Sequence, residues 1–201
     1  MDLLSHPDKS LLLHLTEVAN VAVDSIKRKK LNLLIDFDGK ETDISELITD
    51  LVYFSAAFHD LGKATSFFQY YIQNLDEVHD KRKSHALLSA LFVFFVSEKF
   101  LKPRDIDNEL AQLLSIFTFS AVKRHHGRLN NLSDEILIED EWRELLPELV
   151  ENIDSESIQN LINVLISGYH LKIDWTDFVG FIKNETYNSR SEEHTSELQS
   201  H

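Results

Sequence analysis

Only 5 Gly and 3 Pro interrupt 201 residues. Tight turns draw on glycine and regular elements end at proline, so a chain poor in both is not built from many short strands. Long helices suit it, and the apolar spacing agrees. Ser10 is placed to cap a helix running to about Lys30, with Leu11, Leu15, Val18, Ala22 and Ile26 forming one stripe. Asp43 with Glu46 makes a capping-box pattern before a second helix. That helix is apolar nearly all round and ends at His59-Asp60, so it is expected at the centre of the fold. A short aromatic-rich helix follows from Thr65 to Leu75. Ser84 is expected to cap a fourth helix, stopped by Pro103, and a fifth runs from about Asp107 to Arg124. Further helical stretches lie near Glu139–Glu151, Ser157–Ser167 and Asp174–Lys183. Leu31 to Lys40 reads as a loop or short strand pair turning at Asp38-Gly39. The expected class is all-α, and the length suits one domain with a real core.

Composition narrows the function. There is no Cys, which excludes disulfides and thiolate metal sites and fits a reducing, cytoplasmic setting. No apolar run reaches the length of a membrane span; the longest candidate, Leu87 to Val96, is too short and carries Ser89. Asp2, His6, Asp8 and Lys9 break any signal-peptide pattern at the N-terminus. The net charge of −14 argues against coating nucleic acid through bulk charge. The charge is uneven, however. Ser133 to Glu156 holds ten acidic residues and one basic one, Arg143, while Lys81, Arg82, Lys83, Lys123, Arg124 and Arg128 gather elsewhere.

The chemistry-bearing residues fall near the predicted helix ends. His14 lies on the edge of the first stripe. His59-Asp60 closes the second helix, with Gly62 placed to let the backbone turn sharply. His85 starts the fourth helix, and His125-His126 ends the fifth. One such histidine is more simply a core residue. A buried helix ending in two polar side chains needs partners for them, and a metal would supply these. Five imidazoles and one carboxylate suit Mn, Fe, Co or Ni; Mg, which takes mostly oxygen, fits less well. With waters they suffice for two ions.

Leu13-His14-Leu15, His59-Asp60-Leu61-Gly62-Lys63, Ser84-His85 and His125-His126-Gly127-Arg128 together resemble the His-Asp (HD) metal-dependent phosphohydrolase superfamily, an all-α helical bundle with a buried metal site. More narrowly they resemble the HD nuclease domain of the CRISPR-associated nuclease–helicase of type I systems. The resemblance covers roughly Ser5 to Arg128. It implies that His14, His59 and Asp60 hold one ion. Asp60 then bridges to a second, held by His85, His125 and His126. Lys63 balances charge at the scissile phosphate beside Asp60. It implies an endonuclease cutting single-stranded DNA in antiviral defence, through two-metal hydrolysis by an activated water. The basic residues Lys81, Arg82, Lys83, Lys123, Arg124 and Arg128 are then either a guide for the strand or ordinary solvated charge. Most of Phe67, Phe68, Tyr70 and Tyr71 are explained by packing, leaving one ring for base stacking. No Walker A or helicase motif is present, so the motor is expected as a further domain or subunit, and an RNA-guided surveillance complex as the source of target choice. No membrane partner is implied.

Two other readings stay open: an HD hydrolase of nucleotides or cyclic nucleotides, and a non-catalytic helical module. The family's last ligand, an Asp on a later helix, has no clear equivalent; Asp174 is the nearest. Residues 190–201 have no apolar face and look like the translation of a sequencing adapter, so the expected domain is 1–189, with its last ligand lost beyond Ser189.

Overall fold

The computed structural model describes residues 3–37, 39–74, 81–128, 131 and 140–184. Helices dominate them: α1 (Leu11–Lys29), α2 (Ser45–Phe58), α3 (Ser66–Gln73), α4 (Ala86–Leu101), α5 (Asn108–Lys123), α6 (Asp140–Glu151), α7 (Ser155–Leu165) and α8 over 175–184. The class is all-α. Two short antiparallel hairpins accompany the bundle. β1 (Leu4–His6) pairs with β2 (Lys9–Ser10), and β3 (Leu34–Phe37) pairs with β4 (Lys40–Asp43), with Leu34 opposite Asp43. Gly39 takes φ 75° in the second hairpin, a left-handed backbone that only glycine adopts without cost. No helix among the described residues is long and apolar enough to cross a membrane.

The centre of the bundle is α4. Twelve of its residues, Leu87 to Val93, Phe95 to Ser97, Phe100 and Leu101, are buried, so it is enclosed on every side. Helix α2, expected in that place, packs against α1, α4 and α5 but buries only Leu51, Phe54, Ala57 and Phe58. Aromatic rings knit the core together. Phe58 and Phe92 meet edge to face at 5.1 Å, and Phe92 meets Phe178 of α8 at 5.0 Å. The two buried hydroxyls Ser97 and Thr118 pair with each other across α4 and α5 at 3.0 Å, so neither is left without a partner. Trp175 is buried with its indole Nε1–H unpaired.

Helix starts agree with the sequence in part. Ser10 Oγ accepts from Leu13 N, Thr65 Oγ1 from Phe68 N, and Asp107 Oδ1 from both Glu109 N and Leu110 N. Asp107→Ala removes two of these bonds from an exposed cap. It should cost about 1 kcal/mol, read as a fall of roughly 2–4 °C in Tm by circular dichroism.

The capping box at Asp43 does not form. Asp43 Oδ1 accepts from Ser45 N, and Ile44 takes the cap position with its N–H on Leu33 O. Ser84 is not a cap either. Its N–H closes the Lys81–Lys83 turn on Lys81 O, and His85 takes the cap position without a capping side chain. The His85 ring is engaged elsewhere.

Candidate metal centre

The turn after α2 is where the chain concentrates its polar groups. Asp60, 2% exposed, follows the helix end and precedes a 3-10 turn, Leu61–Ala64. Each of its carboxylate oxygens faces a different set of donors. Oδ2 lies 3.0 Å from His14 Nε2, 3.3 Å from His59 Nε2 and 2.8 Å from Lys63 Nζ. Oδ1 lies 2.9 Å from His85 Nε2 and 3.2 Å from His125 Nε2. His126 joins the second set through His85, their Nε2 atoms 3.1 Å apart. Two groups result, His14-His59-Asp60 and Asp60-His85-His125-His126. Within each, the potential ligand atoms all lie within 4.8 Å of one another. All six residues singled out as ligands in the sequence therefore meet at one place, brought there by α1, the end of α2, the start of α4 and the end of α5.

The helix ends explain the ring orientations. The last carbonyls of a helix lack intrahelical partners. His59 Nδ1 takes up Ala56 O at 2.8 Å, and His125 Nδ1 takes up Val122 O at 2.6 Å, each three residues back. Tying Nδ1 to a carbonyl fixes each ring and turns its Nε2 toward Asp60, where it donates to the carboxylate and from where it would offer a lone pair to a cation.

The electrostatics follow from burial and crowding. For Asp60 the largest influence is burial, which alone would raise its pKa. Hydrogen bonds from His125, His59 and His85 overcome it and hold the carboxyl far below the usual range, as the anion. Burial lowers His14, His85 and His126, with Asp60 opposing it in each. Burial also lowers His125, but its bonds to Asp60 and to Val122 O prevail and its pKa is raised. A cation arriving at the second set would displace that proton.

The donor set fits a divalent transition metal. Two ligands each about 2.1 Å from one ion and at right angles to each other are about 3 Å apart. The nitrogen–oxygen separations of 2.9–3.3 Å around Asp60 are edges of that size.

Gly62 serves close approach rather than a turn. Its φ is not positive, and a Cβ built on it would lie 2.4 Å from His85 O. Its N–H donates to Ser89 Oγ at 2.9 Å, and that hydroxyl donates in turn to His85 O at 2.9 Å. The 3-10 turn and the start of α4 are thus pressed together with no room for a side chain.

Lys63 is buried at 6% exposure. The β1 strand covers it. Lys63 Nζ reaches Ser5 O at 3.4 Å and the Phe68 ring at 5.4 Å. Gln69 anchors that strand by accepting from Leu4 N and donating to Leu4 O and Lys63 O. Ser5, Gln69 and Ser89 carry no motif, and the sequence pattern missed them. His6 was missed too; its ring stands 5.3 Å from that of His14 but outside both ligand groups. Asp174 is also outside them. Its Oδ1 accepts from Thr176 N and Oγ1 at the start of α8. The expected ligand past Ser189 and the tail 190–201 lie outside the described residues.

The basic residues divide. Lys81 pairs with Glu141 and Arg82 with Glu148. Lys83 lies over Tyr71 and Lys123 over Phe119. Arg124 closes α5 and Arg128 is exposed just beyond.

A profile of the Cas3 HD domain matches residues 5–165, four-fifths of the chain and every residue of the cluster. The chain belongs to the Cas3 HD domain family. That family is one of metal-dependent hydrolases, as the clustered histidines suggest. Over 75 residues the chain is 42% identical to the CRISPR-associated nuclease/helicase Cas3 of Haloferax volcanii. The match takes in 37% of this chain and 7% of the length of that much longer protein. The CRISPR-associated Cas3 HD domain protein of Methanocaldococcus jannaschii superposes with a TM-score of 0.48 at 20% identity, over 94% of this chain and 89% of that one.

Proposed function

We propose that this domain is a metal-dependent deoxyribonuclease that cuts single-stranded DNA, working with a helicase and an RNA-guided surveillance complex in CRISPR defence. One observation carries the reading: the two oxygens of a single buried carboxylate, Asp60, face two separate histidine sets. A carboxylate so divided is suited to bridging two ions. His14, His59 and Asp60 would hold the first, and Asp60, His85, His125 and His126 the second. Divalent ions held there supply Lewis acidity and a water nucleophile at neutral pH.

The chain's own groups do the rest. Asp60 stays ionised because its histidine donors outweigh burial. His59 and His125 present their Nε2 atoms because their Nδ1 atoms are tied to the backbone. Lys63 Nζ, held 2.8 Å from Asp60 in a nearly dry site, is a fixed positive charge beside the place where phosphate charge would grow. The side chains of His14, His59, His85 and His125 are 14–16% exposed and His126 is exposed, so the cluster opens to solvent on the His126 side.

The test is to load the chain with Mn or Ni and measure bound metal, then hydrolysis of single-stranded DNA and of nucleotides. About two ions per chain and DNA cleavage are expected; cleavage should be lost in both His59→Ala and Asp60→Ala, with the first set's ion lost in His59→Ala and both ions lost in Asp60→Ala. DNA cleavage that persists in both variants would remove this site from the reaction. Hydrolysis of nucleotides without cleavage of DNA would move the chain to the other HD hydrolases.

A further inference from the structure

The basic turn just before His85 is paired with the chain's own acids. The Lys81–Lys83 turn sits immediately before His85 and presents three cations in a row. Lys81 Nζ lies 2.7 and 2.5 Å from the two carboxylate oxygens of Glu141. Arg82 Nη1 donates to Glu148 Oε1 at 3.1 Å, while its guanidinium covers the Phe67 ring at 4.5 Å. Lys83 Nζ lies 4.4 Å from the centre of the Tyr71 ring, and Tyr70 beside it is 56% exposed. A row of rings leads inward from there. Tyr71 meets Phe68 at 5.9 Å, and Phe68 meets the His85 ring at 5.4 Å.

Cations interleaved with aromatic faces are the equipment of a single-strand binding surface, where phosphates meet the charges and bases stack on the rings. Glu141 and Glu148 lie two helical turns apart on α6, about 10.5 Å along its axis at 1.5 Å per residue. The four partners are 40–66% exposed. Ion pairs so open to water contribute little to stability and exchange readily for another anion.

We propose that Glu141 and Glu148 stand in for two phosphates of the strand, and that DNA must displace them from Lys81 and Arg82 on its way to the metal centre. The α6 carboxylates thereby weaken the hold on short or free strands and favour DNA delivered in extended, high local concentration. This rests on the nuclease reading above.

The test measures binding without cleavage, by fluorescence anisotropy of a dye-labelled oligothymidylate at low salt in EDTA, using the full chain. Glu141→Gln with Glu148→Gln should bind about fivefold tighter or more than the parent. The charge-matched pair Glu109→Gln with Glu156→Gln, exposed residues on other helices, should gain much less. Adding Lys81→Ala and Arg82→Ala to the first pair should abolish its gain. If Lys81→Ala with Arg82→Ala weakens binding by the parent but E141Q with E148Q gains no more than the control pair, the clamp is wrong and the nuclease reading stands. Absence of binding in every form overturns both.

Discussion

Asp60→Ala should lower the Tm of the metal-free domain by roughly 6–20 °C. The reason is the company Asp60 keeps. Lys63 is buried and its ammonium sits 2.8 Å from Asp60 Oδ2. Without that carboxylate, the partners left to Lys63 among the described residues are the Ser5 carbonyl at 3.4 Å and the face of Phe68 at 5.4 Å. Removing one partner of a buried pair typically costs about 3–5 kcal/mol, because the other charge stays buried. In a domain of this size each kcal/mol moves Tm by about 2–4 °C. Lys63→Met should cost less, since Asp60 keeps four imidazole nitrogens within 3.3 Å. The double variant Asp60→Ala with Lys63→Met should recover part of the loss, because no uncompensated charge then remains. A second readout separates the metal from the fold. Saturating Mn should raise the Tm of the parent by linkage and leave that of Asp60→Ala where it is. Equal melting of Asp60→Ala and the parent in EDTA would mean that Lys63 finds water or another anion, and that the pair is not the hub described.

The fold and the convergence of the six candidate ligands were legible in the sequence for the same reason. Helices announce themselves by period and by their ends, and here the ends carry the chemistry. His59, Asp60, His125 and His126 follow long apolar stretches, and burial at the end of such a stretch is what makes an unpaired polar group expensive. His85 stands at the start of the fourth helix as expected, but as the cap residue itself, and Ser84 belongs to the preceding turn. What could not be read were pairings without a period. The burial of Lys63 has no local signal, because the strand that covers it lies more than fifty residues upstream, held there by Gln69. Lys81 and Arg82 show their sign in the sequence, but Glu141 and Glu148, 60 and 66 residues away, decide what those charges touch. The acidic stretch containing α6 likewise shows its charge in the sequence and not its partners.

Gly62→Ala should damage the site more than a methyl group added at any other glycine of the chain. The added Cβ would meet three backbone atoms of His85, at 2.4, 3.0 and 3.1 Å. These are main-chain atoms at the start of the most buried helix, so no flexible side chain can swing aside. Relief must come from pushing the 3-10 turn away from α4, which breaks the Gly62 N–H bond to Ser89 Oγ. Overpacking of this kind costs about 1–3 kcal/mol. The functional loss should be larger, because the two segments forced apart carry Asp60 and His85, whose 2.9 Å contact joins the carboxylate to the second histidine set. Gly62→Ala should therefore keep most of its helical circular dichroism while losing metal at the second set, seen as about one ion per chain in place of two. Gly127→Ala is the matched control. The glycine after His125-His126 has no positive φ and no atom nearer than 4.0 Å to an added Cβ. It should melt within about 0.5 kcal/mol of the parent and bind metal equally well. Full metal binding by Gly62→Ala would show that the turn and α4 can separate without moving Asp60 from His85, and the contact between them would then not be what organises the centre.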